Sequence, residues 1–321
     1  MRLSSPESVC VLLFQHARGG KSASRGRGQT VNICKPALRL AGAVLAAVTI
    51  AVAAQAPSLT IKFKNVAVPG ALFTTATGIN NSGMLVGYYV DSGGVTHGFM
   101  RSGKTVTTID DPKGIATYCE GINSIGAIVG EYTQSNENNH GFLYQNGVFT
   151  DIGMGVISGA DGINDQGVIV GAYLECGVCI QLGFIYDGGT YTTLSPTGAD
   201  YTAAIGINNG GKIAVTVDDA SGIFHAYIYN GKKYTNIDAP GYTDSYATAV
   251  NNLGDVSMIV DKVEGDNETV DGAILHQGQY IIFNYQNRPN ILTRSYGIND
   301  HRESVGGFET RQAIGGFVAL F

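Results

Sequence analysis

One short turn, Gly-Ile-Asn, returns along this chain at Gly78-Ile79-Asn80, Gly121-Ile122-Asn123, Gly162-Ile163-Asn164, Gly206-Ile207-Asn208 and Gly297-Ile298-Asn299, with a decayed copy at Ala249-Val250-Asn251. Successive asparagines lie 43, 41, 44, 43 and 48 residues apart. A fixed period of this length marks a repeat architecture. Within each period, aromatic and β-branched runs alternate with Gly/Asn/Asp turns, which is the pattern of short strands joined by hairpins. No copy carries apolar residues at i, i+3, i+4 and i+7, so helical solenoids are excluded. Six copies, each long enough for four short strands, predict an all-β chain: a six-bladed β-propeller with four-stranded blades.

The stretch from His140 to Tyr173, HGFLYQNGVFTDIGMGVISGADGINDQGVIVGAY, shows the unit most completely. It resembles the HAF repeat of bacterial extracellular proteins, named for a His-Ala-Phe triplet at the head of one strand. The triplet reads His97-Gly98-Phe99, His140-Gly141-Phe142 and His225-Ala226-Tyr227, and decays to Leu182-Gly183-Phe184, Asp271-Gly272-Ala273 and Ile314-Gly315-Gly316. The likeness covers roughly residues 60 to 321. It implies an extracellular, propeller-like protein and transfers no catalytic residue, because the family's pattern holds only structural positions.

Blade six begins at Gly297, yet the chain stops at Phe321 after three strands. The missing strand is found near the other terminus. Phe63-Lys-Asn-Val-Ala-Val-Pro-Gly70 aligns without gaps to Tyr234-Thr-Asn-Ile-Asp-Ala-Pro-Gly241 of blade four. Residues 59–68 are therefore expected to pair with Gly315–Phe321, closing the last blade with the N-terminal strand of the mature chain and removing an exposed edge.

Charge is unevenly placed. Residues 1–56 hold seven of the 20 Lys+Arg and one of the 26 Asp+Glu, which leaves 13 against 25, a net charge of −12, for the rest. Such an acidic domain argues against nucleic acid and anionic membranes as partners. Lys35 and Arg39 precede the apolar run Leu40–Ala54, which ends in small residues, the layout of a signal peptide over residues 35–56. Residues 1–34 read as an unstructured extension or a mis-assigned start, and residues 57–321 as the propeller. The expected location is extracellular or periplasmic.

In a propeller of this kind the turn after Gly-Ile-Asn and the turn after strand three share one face, and the longer loops share the other. Those longer loops hold Asp91, Glu131, Glu137, Glu175, Asp218, Asp219, Asp261, Glu264, Asp266, Glu268 and Glu309, an acidic rim on the side where binding is commonly built. His97, His140 and His225 occupy one repeat position in different blades, so rotation about the axis separates them. Each is expected to bond a neighbouring loop carbonyl, and no metal site or cofactor is predicted.

The residues just before the Gly-Ile-Asn turn are Thr77, Glu120, Asp161, Ile205, Thr248 and Tyr296. They should ring the axis, which makes Thr77, Glu120, Asp161, Thr248 and Tyr296 candidates for a central funnel. Glu120 and Asp161 fall in adjacent blades, and a carboxylate pair suits acid–base work on a glycoside or a divalent cation. Cys176 and Cys179 lie in one loop of blade three, where export favours a local disulfide, and Cys119 is expected to be a free buried thiol. No phosphate loop, nucleophile elbow or zinc-protease motif occurs.

These readings favour a secreted binding or interaction module, its ligand a glycan or a protein, with no membrane contact after signal cleavage. One alternative is an enzyme acting on a carbohydrate through Glu120 and Asp161. Another is a structural matrix component without a discrete ligand.

Overall fold

The computed structural model describes residues 60–155, 157–175, 180–264, 267–288 and 291–321. The readings of residues 1–34 and 35–56 and of the Cys176–Cys179 pair fall outside these residues. Each of the first five sequence periods folds as one four-stranded antiparallel sheet, its strands in chain order from the innermost outward.

Blade one contains β2 (Phe73–Ile79), β3 (Leu85–Val90), β4 (Thr96–Ser102) and β5 (Thr105–Ile109). Blade two contains β6 (Ala116–Ile122), β7 (Ile128–Thr133), β8 (Asn139–Gln145) and β9 (Val148–Asp151). Blade three is β10 (Ser158–Ile163), β11 (Ile169–Glu175), β12 (Ile180–Asp187) and β13 (Thr190–Leu194). Blade four is β14 (Thr202–Ile207), β15 (Ile213–Asp218), β16 (Phe224–Tyr229) and β17 (Tyr234–Asn236). Blade five comprises β18 (Asp244–Val250), β19 (Val256–Glu264), β20 (Asn267–His276) and β21 (Gln279–Phe283). The sixth sheet takes β22 (Leu292–Ile298), β23 (Glu303–Glu309) and β24 (Ile314–Leu320) from the end of the chain and β1 (Lys62–Val66) from its beginning. The protein is a six-bladed β-propeller.

Closure follows the expected register: Lys62 pairs with Leu320, Asn65 with Phe317 and Val66 with Gly316. Ile61 and Val66 are buried, and Phe63 lies edge-on to Tyr285 at 5.3 Å and to Phe317 at 5.6 Å. The closing strand thus adds an aromatic wedge between blades five and six as well as a row of hydrogen bonds.

The repeated turn works at two levels. Within a blade, the asparagine side-chain oxygen accepts from backbone N–H groups two and four residues on, as Asn164 Oδ1 does from Gln166 at 3.1 Å and Val168 at 3.0 Å. That is the local turn-forming chemistry of asparagine. Between blades, each side-chain nitrogen donates to the backbone carbonyl of the next asparagine: Asn80 to Asn123, Asn123 to Asn164, Asn164 to Asn208, Asn208 to Asn251, Asn251 to Asn299 and Asn299 back to Asn80, at 2.9–3.3 Å. Six buried bonds close a ring about the propeller axis.

A second belt lies beside it at the next residue of the turn. Backbone N–H groups of Ser124, Asp165, Asn209, Asn252 and Asp300 donate to side chains of Asp165, Asn209, Asn252, Asp300 and Asn81 respectively, at 2.8–2.9 Å. The glycine of the turn answers a steric demand. A Cβ on Gly206 would stand 2.7 Å from the Ala249 Cα, and one on Gly162 would stand 2.7 Å from the Ile205 carbonyl oxygen and 3.0 Å from the Gly206 Cα. Inner strands approach backbone to backbone, and a side chain there would force the blades apart.

Candidate functional site

The six turn asparagines are engaged in the hydrogen-bonded ring, which is a structural closure at the Gly-Ile-Asn end of the inner strands. Just above it sit the residues expected to line the funnel. Each is the extra residue of a β-bulge on the innermost strand, with the register slipping around Thr77, Glu120, Asp161, Ile205, Thr248 and Tyr296. Thr77 and Thr248 are buried, and their hydroxyls donate to the next blade's carbonyls, Cys119 at 2.6 Å and Ser295 at 2.8 Å. Glu120, Asp161, Ile205 and Tyr296 are half-buried. The fold brings Glu120 and Asp161 onto adjacent inner strands, and the Glu120 carbonyl packs under Gly78 as the Asp161 carbonyl packs under Gly121. Cys119, next to Glu120, is a free thiol wholly buried, and burial pushes its pKa well up.

The opposite face departs from expectation in two respects. Glu131, read from sequence as part of the acidic rim, is buried within β7. The histidines meet carboxylates and not loop carbonyls. His97 sets Nδ1 against Asp110 at 2.7 Å and Nε2 against Asp91 at 3.4 Å, and His225 repeats this with Asp238 at 2.7 Å and Asp219 at 3.4 Å. Both aspartates stand at the same offsets from the histidine in blades one and four. Blade two has Gln134 and Gly153 there, and His140 stacks on Tyr132 at 5.5 Å instead. Sequence spacing carried this signal: a carboxylate six residues before the histidine and another thirteen after it.

These clamps tie stability to pH. At His97 burial opposes the charge, but the hydrogen bonds and charges of Asp110 and Asp91 outweigh it and raise the pKa above 6.5. At His225 the bond to Asp238 dominates, with the same result. Asp91 and Asp219 move down, through backbone N–H donation from Val95 in the first and through the Ser221 hydroxyl and the Ile223 N–H in the second. Asp261 in blade five, facing Asp244 across the β18–β19 ladder, is pushed up to about 8 by burial and by the charges and hydrogen bond of its acidic neighbours, above all Asp244.

The imidazolium contribution is complete below about 6.5 and is lost as pH climbs through the raised values, while that of Asp91 and Asp219 is present above about 3.8 and fades only in acid. Asp261 costs stability progressively from about pH 4 to 8, because the unfolded carboxyl ionises there while the folded one holds its proton. The melting temperature should therefore be highest at about pH 4 to 5, fall gently to about pH 6.5 and fall more steeply toward pH 8.5. Differential scanning calorimetry across that range checks it, and the triple variant His97→Gln/His225→Gln/Asp261→Asn should show a flatter limb above pH 6.5. Partial exposure of both clamps limits the expected shift to a few degrees.

Blade four differs from its neighbours in one further respect. The residue paired across the ladder with the His position is Tyr89 in blade one, Tyr132 in blade two and Tyr173 in blade three, but Val217 in blade four, Val260 in blade five and Glu309 in blade six. Each tyrosine reaches over the sheet to strand four, its hydroxyl 3.0–3.3 Å from Thr108, Asp151 or Thr193. In blade five the turn entering the blade supplies a cover of its own, Tyr242, whose hydroxyl donates to Asp271 at 2.9 Å. The corresponding turn into blade four supplies Ala199. With both covers absent, a cleft of about 380 Å³ opens among Val217, Asp218, Asp219, His225, Tyr227 and Tyr234. Burial pushes the Tyr234 hydroxyl up to about 12, so it stays neutral. Among the described residues, no group of three or more His, Cys, Asp and Glu is disposed to hold a metal ion.

No family model matches the chain, and no curated protein sequence does. Solved structures do match in fold. The β-propeller domain of the trilobed protease from Pyrococcus furiosus superposes with a TM-score of 0.52 at 13% identity, over 77% of this chain and 81% of that one. A putative TolB from Agrobacterium tumefaciens gives 0.53 at 12% identity, over 69% and 87%. The SapL1 lectin in complex with α-methyl fucoside gives 0.51 at 11% identity, over 77% and 93%. All are similar in architecture, and at these identities the likeness is one of fold.

Proposed function

We propose that this propeller is an exported, non-catalytic binding module that holds its ligand in the blade-four cleft, outside the cytoplasm. The carrying observation is that the cleft exists because blade four lacks both aromatic covers, Val217 standing where blade three has Tyr173 and Ala199 where blade five has Tyr242. A concave site with aromatic walls and a few convergent polar groups is the ordinary form of a small-ligand site. Fold likeness does not choose among activities, since a lectin and a protease domain share it. Export is supported by the basic and apolar order of residues 35–56 and by the acidic character of residues 57–321.

The test uses the protein recovered from the periplasm or culture medium. Its N-terminus, read by mass spectrometry, should fall between Ala54 and Pro57. A thermal-shift screen should find a compound that raises the melting temperature by mass action. Val217→Tyr, which copies blades one to three, should abolish that shift without lowering the unliganded melting temperature. Full response in the variant, or retention of the product in the cytoplasm, would count against the reading.

A further inference from the structure

The chain holds three Asn-Gly pairs, Asn146-Gly147, Asn209-Gly210 and Asn230-Gly231, and all three asparagines are exposed. In such a pair no side chain on the following residue shields its nitrogen from the asparagine amide carbon. Sequence and exposure treat the three alike, and hydrogen bonding separates them. Asn209 is held at both ends of its amide: Oδ1 accepts from the Asp165 N–H at 2.9 Å, and Nδ2 donates to Asp165 Oδ2 at 2.7 Å. Its glycine is held as well, the Gly210 N–H donating to Asn208 Oδ1 at 3.0 Å. Asn230 Oδ1 accepts from the N–H groups of Lys232 and Lys233, at 3.1 and 2.9 Å. Among the described residues, neither the Asn146 side chain nor the Gly147 N–H has a hydrogen-bond partner. These two residues form the tight turn between β8 and β9, with φ of 53° and 82°, beyond the last ladder pair of Gln145 and Val148. Left-handed backbone is unfavourable for a residue with a Cβ, so opening this exposed hairpin end relieves Asn146 of strain.

We infer that Asn146 is a site of spontaneous covalent modification, its side chain closing on the Gly147 nitrogen to a succinimide that water opens to isoaspartate and aspartate. The Gly147 nitrogen gives its proton to solvent and forms a bond to Cγ of Asn146. The bond from Cγ to Nδ2 breaks, and ammonia leaves with a proton taken from water. Water then adds to one of the two ring carbonyls and breaks the bond from that carbon to the Gly147 nitrogen. Opening at Cγ gives aspartate, and opening at the main-chain carbon gives isoaspartate, with nothing oxidised or reduced. Isoaspartate adds a methylene to the backbone inside a two-residue turn. The strand that follows, β9, has only four residues, and its Asp151 holds Lys113 at 2.7 Å and accepts from the Tyr132 hydroxyl at 3.3 Å. The product therefore loosens the outer edge of blade two and adds a negative charge there. The blade-four cleft takes no part, so this inference stands apart from the binding reading.

The experiment ages the folded protein in mildly alkaline buffer well below its melting temperature, beside a sample unfolded in urea. Peptide mapping by mass spectrometry follows conversion of amide to acid at each of the three asparagines, and isoaspartate is scored separately from aspartate. In the folded sample Asn146 should convert on the order of tenfold faster than Asn230 or Asn209, since two or more hydrogen bonds must first break at each of those. In urea the three rates should come together, because local sequence alone then governs them. Isoaspartate should exceed aspartate at residue 146, and oxygen-18 from labelled water should appear in both products. Equal rates at the three positions in the folded protein overturn the inference, as does an Asn146 that stays intact while the urea sample converts. Aspartate without isoaspartate also overturns it, since direct hydrolysis of the amide would then be the route.

Discussion

A chain that begins at residue 71 should fail to fold as a monomer, whereas one that begins at residue 57 should fold and melt cooperatively. The reason is that β1 is the fourth strand of the sixth blade. Without it, β24 presents an unpaired edge from Ile314 to Leu320, a row of free N–H and C=O groups that invites association with another chain. The loss also uncovers the apolar cluster of Phe283, Tyr285 and Phe317, against which Ile61 and Phe63 pack, and removes the hydrogen bond that the Tyr285 hydroxyl donates to Asn65. Burial of Ile61, Phe63 and Val66 contributes on the order of 5 kcal/mol even after allowance for a compact unfolded state. That is comparable with the whole net stability of an ordinary domain. Size-exclusion chromatography and calorimetry decide the matter: a well-folded monomer lacking residues 57–70, with an unchanged melting temperature, would falsify the closure.

The second large effect belongs to the asparagine ring. Asn164→Ala removes the acceptor for the Gln166 and Val168 N–H groups and the donor to the Asn208 carbonyl in one step. It also leaves the Asn123 side chain bonded to a carbonyl whose turn has loosened. One buried carbonyl and two partly exposed backbone N–H groups lose a partner, so about 2 kcal/mol is expected. For a domain of this size that lowers the melting temperature by about 4–8 °C. Asn164→Asp separates the two roles. It keeps the turn acceptor but aims a carboxylate at the Asn208 carbonyl, so it should be nearly as damaging at neutral pH and milder near pH 4. If aspartate is tolerated fully at pH 7, the turn matters and the ring does not.

Much of the architecture was legible because it is written six times. Recurrence of Gly-Ile-Asn set the number of blades, and hairpin chemistry between aromatic runs set four strands in each. The gapless match of residues 63–70 to 234–241 located the strand that closes the ring, and the observed pairing of Lys62–Val66 with Gly316–Leu320 agrees with it. Offsets within one blade were readable too, and the shared spacing of Asp91, His97 and Asp110 with Asp219, His225 and Asp238 would have revealed the clamps. They were missed because a histidine beside a turn has many ordinary acceptors, and one-dimensional spacing does not say which loop folds back over it.

The candidate site was legible only as an irregularity. A column of tyrosines at residues 89, 132 and 173 ends at Val217, with Val260 and Glu309 following in blades five and six, and Ala199 stands where blade five has Tyr242. Neither substitution means anything until strand pairing shows that those positions cover the same patch of sheet. Funnel residues illustrate the same division from the other side. Sequence put Thr77, Glu120, Asp161, Thr248 and Tyr296 at equivalent positions near the axis, and the structure makes each a bulge residue. That the hydroxyls of Thr77 and Thr248 join one blade to the next depends on atoms some forty residues distant in the chain.

Local chemistry, then, was enough to specify strands, turns, blade count and the strand that closes the ring, because β pairing and turn formation act between residues close in sequence or repeat in a fixed period. Rotation of one blade against the next is a property of packed sheets. It alone decided that six turn asparagines join into one hydrogen-bonded circle and that glycine is required where backbones meet at the axis. Packing also decided that Val217 and Ala199, two small side chains on separate elements, leave one cleft open in blade four.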